Sequence, residues 1–323
     1  MQAILRNKLL LVTYMLTILY ALHYAIPLYA TSSFLHQYFN SGYVSALYVI
    51  SSIAILFGSL LISKSIRRFH TYGFTFFLVI AEIIATITFA VTDNLFIIGL
   101  FFIIHSVLQA FLYICINIFI ESFSKHTETG SIRGLFLAIL SLGYIVSPVI
   151  GGAILAHYSF QALYIVASCT LIPFLYFLHK YLMHIKEPAY TSVDIFGAIR
   201  TVLRNKNLRS VFIADLLVES FYSTMIIYSP MYLTTLGISL TTYMTYILPI
   251  ALIPLVALPY ELGFLADSKH GEKNILIIGL LIMVVTTFLC VVITSANPLV
   301  WAVLLFVSRV GTSLAETMSH TYF

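Results

Sequence analysis

Charge is scarce in this chain: Asp, Glu, Lys and Arg make up 9% of its 323 residues, against about a quarter in soluble domains. Hydrophobic residues reach 61% and aromatics 15%, too apolar a mixture for a water-facing globular surface. A soluble domain is therefore excluded. Cysteine is rarer still. Cys115, Cys169 and Cys290 are odd in number, lie in apolar runs and have no metal-type spacing, which points to packing roles and excludes a disulfide framework. The net charge of +4 comes without a basic tract, so nothing in it argues for nucleic acid. A nucleophile elbow, a metal-ligand motif and paired carboxylates on an extramembrane domain are also missing, and with them the usual marks of an enzyme, a metal site or a bound cofactor.

What the chain does have is apolar length. Ten runs of about twenty residues, the length a helix needs to cross about 30 Å of hydrocarbon, fall at 9–30, 43–63, 72–92, 95–120, 132–156, 161–181, 208–234, 240–262, 275–294 and 299–321. An all-α membrane protein follows. The first run is preceded by Arg6 and Lys8, as in a secretory leader, but it is too long and lacks a clear cleavage site, so it reads as the first span.

The basic residues orient the spans. With the N-terminus in the cytoplasm, every Lys and Arg except Arg309 falls on an inner segment, and the outer connections carry none. The polar stretch 182–207 separates six spans (1–181) from four (208–323). Val193, Phe196, Ile199 and Leu203 share one helical face in it, with Arg200, Arg204 and Lys206 available to lipid phosphates, so part of this linker is expected along the inner membrane surface.

The inner connection between spans eight and nine reads GFLADSKHGEK, from Gly263 through Asp267 and Gly271 to Lys273. Solvation of the charges explains Lys269 and Lys273, but not the glycines around one acid. This stretch resembles the inter-helix loop signature of the major facilitator superfamily. The equivalent first-half segment keeps Gly58, Arg67 and Arg68 but has Ile62 where the acid is expected. Span five carries GYIVSPVIGG, similar to a motif associated with the family's exporters, with Gly143, Pro148, Gly151 and Gly152 retained and Ser147 in place of a glycine. Small residues and a proline suit either close helix packing or a hinge.

The resemblance implies a major facilitator fold of two helical bundles. About ten of an expected twelve membrane helices are present, so a truncated gene or a fragment is the expectation. It also implies a cavity lined by spans one, four, seven and ten, with the substrate near the bilayer midplane. Ionisable groups at that depth cost at least about 2.5–3.5 kcal/mol each on insertion scales, so each needs a partner or a purpose. Glu82, His105, Asp215, Glu219, Arg309 and Glu316 are the inventory. Glu219 lies about 16 Å from the inner end of its span, and Arg309 and His105 lie about 15 Å from the outer ends of theirs. Arg309 and Glu219 are the expected centre, either as a substrate site or as a buried ion pair that fixes packing. Asp215, Glu219 and Glu316 are the expected proton-exchanging groups. Tyr20, Tyr24, His105, Gln109, Tyr113, Asn117, Tyr222 and Thr312 extend the expected cavity, whereas His23 reads as a packing residue. The family's arginine in span four is absent, with His105 and Ser106 in that region.

The function these features imply is secondary active transport of a small solute, proton-coupled export by the motif in span five. An uptake permease or facilitator for a sugar or organic ion stands as an alternative. So do a transport-dead sensor or scaffold and, of another class, a lipid-modifying enzyme. The expected partners are a small molecule, protons and the lipid bilayer of the cell membrane, with the chain a monomer.

Overall fold

The computed structural model describes residues 2–123, 129–183, 195–266 and 272–322. The described elements are helices, in the order α1 Gln2–Leu28, α2 Thr31–His36, α3 Ser41–Val91, α4 Leu95–Phe123, α5 Thr129–His157, α6 Phe160–Cys169, α7 Leu171–Leu182, α8 Ile195–Arg204, α9 Lys206–Thr235 and α10 Leu240–Thr242. A π-helical turn, Tyr243–Ile247, joins α10 to α11 Leu248–Ala266, followed by α12 Glu272–Val292 and α13 Pro298–Tyr322. Short polar connections start many of these helices. Side chains of Asn40, Asn94, Ser159, Asn205, Ser239 and Asn297 each accept a backbone N–H from the following turn. Such caps satisfy donors that a helix cannot satisfy itself, a requirement that sharpens near hydrocarbon.

Among the described residues, nine helical stretches are long and apolar enough to cross a membrane, and one of them, α3, is long enough to cross twice. Its 51 residues, about 77 Å of helix, exceed twice the hydrocarbon thickness. A break at His70 (φ 59°, ψ 160°) divides it into the two expected spans, 43–63 and 72–92, where a polar connection was expected. Lys64, Arg67 and Arg68 beside the break are exposed. The sixth span, Phe160–Leu182, is one membrane-length stretch with a local irregularity at Thr170 between α6 and α7. Pro173 explains the irregularity, because its ring clashes with the carbonyl four residues back, that of Cys169, and supplies no N–H to it. The chain tightens there, with Thr170 N donating to the Ala167 carbonyl at 3.2 Å.

The helices group into two compact units. The first contains residues 1–147 and 154–192. Its hydrophobic core runs through α1, α3, α4, α5 and α7, where Leu16, Leu112, Phe136, Phe174 and Leu178 are fully covered. Ile62 belongs to this core, so the position of the signature's missing acid faces apolar neighbours. A second cluster, built on Phe34, Phe89, Phe102 and Tyr164, fills the end of the unit near α2. Gly143 of α5 lies so close to Ala21 of α1 that a Cβ there would collide.

The second unit contains residues 148–153 and 193–323. Lipid tails are as apolar as leucine, so helices in a bilayer associate through close contact between small residues and through hydrogen bonds. Both devices appear here. A Cβ on Gly279 of α12 would stand 2.7 Å from the Gly311 carbonyl oxygen of α13, so the two helices cross backbone to backbone. Trp301 is 2% exposed and donates its indole N–H to the Ser295 carbonyl at 2.7 Å. Gly152, from the span-five motif, meets Met244 and Thr245 of the π-turn, and α5 continues unbroken through Pro148.

Of the expected linker, residues 184–194 lie outside the described ones, as do Asp267 and Gly271 of the signature loop. The end of the linker forms α8 and the first residues of α9, and in it Arg200, Arg204 and Lys206 are exposed.

Candidate functional site

Ionisable side chains from three helices meet inside the first unit. Glu82 of α3 is wholly buried, and its Oε1 lies 2.8 Å from His23 Nε2 of α1 and 2.6 Å from His105 Nδ1 of α4. Thr86, one turn on from Glu82, donates its hydroxyl to the same oxygen at 3.2 Å and stands 3.2 Å from His105 Nδ1. The break between α6 and α7 supplies a fourth element: the Ala167 carbonyl, turned aside from regular helix bonding, accepts from His23 Nδ1 at 3.0 Å. Phe89 closes one side by stacking on the His105 ring, with centroids 6.1 Å apart. Glu82 Oε2 is buried and has no hydrogen-bond partner among the described residues.

A metal is the first alternative such a set raises, since one carboxylate oxygen and two imidazole nitrogens lie within 4.8 Å of one another. The distances decide against it for this packing. Around zinc, bonds of about 2.0–2.1 Å at tetrahedral angles hold neighbouring ligand atoms about 3.3 Å apart. The 2.6 and 2.8 Å contacts are hydrogen-bond lengths.

Beside this cluster the expected cavity residues of α1 and α4 form an aromatic array. Tyr20 stacks on Tyr24 at 6.0 Å, approaches Tyr113 at 6.2 Å and donates its hydroxyl to the Gln109 carbonyl at 3.2 Å. Tyr24 in turn meets Tyr144 edge to face, and Asn117 Nδ2 donates to the Tyr113 carbonyl.

In the second unit, α9 and α13 carry the charges. Arg309 is 3% exposed, its guanidinium 5.1 Å from the centroid of Tyr222 and 5.8 Å from that of Phe221. Its Nε and Nη1 have no hydrogen-bond acceptor among the described residues. Tyr222 donates to Glu316 Oε2 at 2.6 Å, and Ser319 donates to Asp215 Oδ1 at 3.0 Å. Thr312 is buried and donates to the Ser308 carbonyl, while Glu219 is exposed on α9. Gly263 lies within α11, and Lys273 is exposed at the start of α12.

The sequence alone puts His105 in the expected cavity, gives His23 as a packing residue and counts Glu82 among the buried groups that need a partner, without pairing the three. Three polar residues at similar depth in three apolar runs were the available signal. What joins them is tertiary.

Long apolar helices around interior charges define a multi-pass α-helical membrane protein. The chain belongs to the Major Facilitator Superfamily, whose sequence profile matches residues 13–323. Solved structures agree on the fold. A single-site variant of the nucleoside transporter NupG superposes with a TM-score of 0.78 at 14% identity, covering 97% of this chain and 81% of that one. The D-xylose-proton symporter gives 0.70 at 15%, covering 96% and 80%. A bacterial homologue of the human lysosomal transporter Spinster, inward-facing and unoccupied, gives 0.68 at 12%, covering 98% and 74%. A search among curated protein sequences gives no match. The family and the fold are those of membrane transporters.

Proposed function

We propose that this transporter moves a small solute by alternating access and exchanges it for protons in the export direction. The observation that carries this reading is Arg309, a permanently charged group buried in an apolar helix with two nitrogens lacking acceptors among the described residues. Placing it there costs at least about 2.5–3.5 kcal/mol, and its contacts with two rings come close to offsetting that while giving those two nitrogens no acceptor. A guanidinium so placed suits a solute bearing a carboxylate, phosphate or similar acceptor, which it grips through parallel N–H bonds. Glu219, Tyr222 and Thr312 are the further solute contacts of the second unit; Tyr20, Tyr24, His105, Gln109, Tyr113 and Asn117 are those of the first. Asp215, Glu219 and Glu316 exchange protons. Asp215 and Glu316 each accept from a hydroxyl, a bond that a protonated acid would weaken.

The loop at Asp267 serves as a gate and the motif around Pro148 as a hinge. Residues 182–207 link the halves 1–181 and 208–323 on the cytoplasmic side of the cell membrane, where the N-terminus also lies, and the working form is a monomer. The test is solute counterflow in liposomes. Nucleosides, pentoses and small organic anions form the panel, the first two because similar folds carry a nucleoside and D-xylose. At least one solute should exchange, and Arg309→Lys should slow that exchange by about tenfold or more, equivalent to about 1.4 kcal/mol. No exchange of any solute by folded protein would overturn the reading.

A further inference from the structure

The geometry points to a proton-binding site within the first unit, formed by His23, Glu82 and His105 and separate from the acids of α9 and α13. Counting protons carries the inference. A carbonyl can only accept, so the Ala167 contact places a proton on His23 Nδ1. The contact of His23 Nε2 with Glu82 Oε1 holds a second proton, whichever of the two atoms bears it. The contact of His105 Nδ1 with the same oxygen holds a third. Two neutral imidazoles and one carboxylic acid also carry three protons between them. Three protons therefore satisfy every contact and leave the cluster electrically neutral.

Any other count is penalised. With two protons, lone pairs face each other across one of the three contacts, at 2.6, 2.8 or 3.0 Å, and the buried cluster becomes an anion. With four, it becomes a cation, the extra proton going to Glu82 Oε2 or His105 Nε2. Among the described residues no second charged side chain touches the cluster. Tyr20 is within electrostatic reach of Glu82, and Tyr164 packs on Phe89, but phenols are neutral near pH 7. Thr86 and the Ala167 carbonyl complete the surroundings. A buried net charge without a partner is strongly unfavourable. A fourth proton therefore enters only when water or a counter-charge enters with it, and that requires α1, α3, α4 and α6 to loosen around the cluster. Glu82 Oε2, buried and without a partner among the described residues, is the atom open to that proton or to its water. Proton occupancy is in this way tied to the packing of four helices. The proton comes from water and returns to it, and no other atom changes bonds.

The inference does not depend on the solute. Full-length protein in lipid nanodiscs is titrated between about pH 5 and 8, where imidazoles change charge, and followed by infrared difference spectroscopy. Wild type should give carboxyl and imidazole bands that titrate with one shared midpoint. Glu82→Gln should remove both. Glu316→Gln should leave them in place, because Glu316 belongs to the other unit. His105→Gln, which keeps the acid, should shift the midpoint by about half a pH unit or more. If the Gln variant at position 82 does not fold, Glu82→Asp should show a shifted midpoint in its place. Identical spectra for wild type and the position-82 variant would overturn the proposal, leaving a static knot of hydrogen bonds. Tight zinc binding by wild type at neutral pH, lost in His105→Gln, would overturn it in favour of a metal.

Discussion

Replacing Arg309 by methionine separates a functional charge from a structural one. An arginine at mid-helix costs about 2.5–3.5 kcal/mol to insert. Against that stand its contacts with Tyr222 at 5.1 Å and Phe221 at 5.8 Å, each worth up to about 2 kcal/mol when desolvated. The two sides nearly cancel. Methionine fills similar space and keeps dispersion contact with both rings, while Tyr222 and Glu316 keep their own hydrogen bond. Arg309→Met should therefore change stability by no more than about 1 kcal/mol, or roughly 2–4 °C in melting temperature. Counterflow should fall to the background of protein-free liposomes. A guanidinium that held the bundle together as one arm of a buried ion pair would behave differently, its removal costing about 3–5 kcal/mol. Thermal unfolding in detergent, read beside counterflow, distinguishes the two. A melting temperature lowered by more than about 10 °C would refute the functional assignment, as would normal counterflow by the variant.

Other consequences follow from single contacts. Gly311→Val should destabilise the second unit by about 1–3 kcal/mol or more, because the added atoms meet the Gly279 carbonyl and Ile282, and backbone cannot give way; thermal unfolding reads this out. Tyr222→Phe removes the donor to Glu316 and should destabilise by about 1–3 kcal/mol, with Glu316→Leu in the same chain recovering part of the loss in the same assay. Single cysteines at Gln37 and Asn297, both exposed, should react with an impermeant thiol reagent on intact cells, and one at Lys273 only after permeabilisation. Labelling at position 273 in intact cells would reverse the orientation drawn from the basic residues.

Much of the fold was legible because the bilayer imposes a length and a charge rule that each segment obeys on its own. Apolar runs located the crossings, and the GFLADSKHGEK and GYIVSPVIGG stretches pointed to the family that the profile match establishes. Helix continuity was harder to read. The charged stretch after Ile62 looked like a loop, yet it stays helical on both sides of His70, and the division at Thr170 needed Pro173 to be read as a local break inside a span. The polar interior was legible residue by residue but not pair by pair. Depth along a helix follows from counting, so His105, Glu219 and Arg309 stood out. Rotation about the helix axis does not follow, and rotation decides that Glu82 meets His23 and that Asp215 meets Ser319.

Proton movement coupled to solute movement tests the account most directly. Liposomes containing the protein and a pH-sensitive dye are given an outward gradient of a solute identified by counterflow. Solute leaving the lumen should drive protons inward, acidifying the lumen at a rate that scales with solute efflux and is absent from protein-free liposomes. Efflux without any change in luminal pH would contradict coupling, and the absence of efflux altogether would contradict transport.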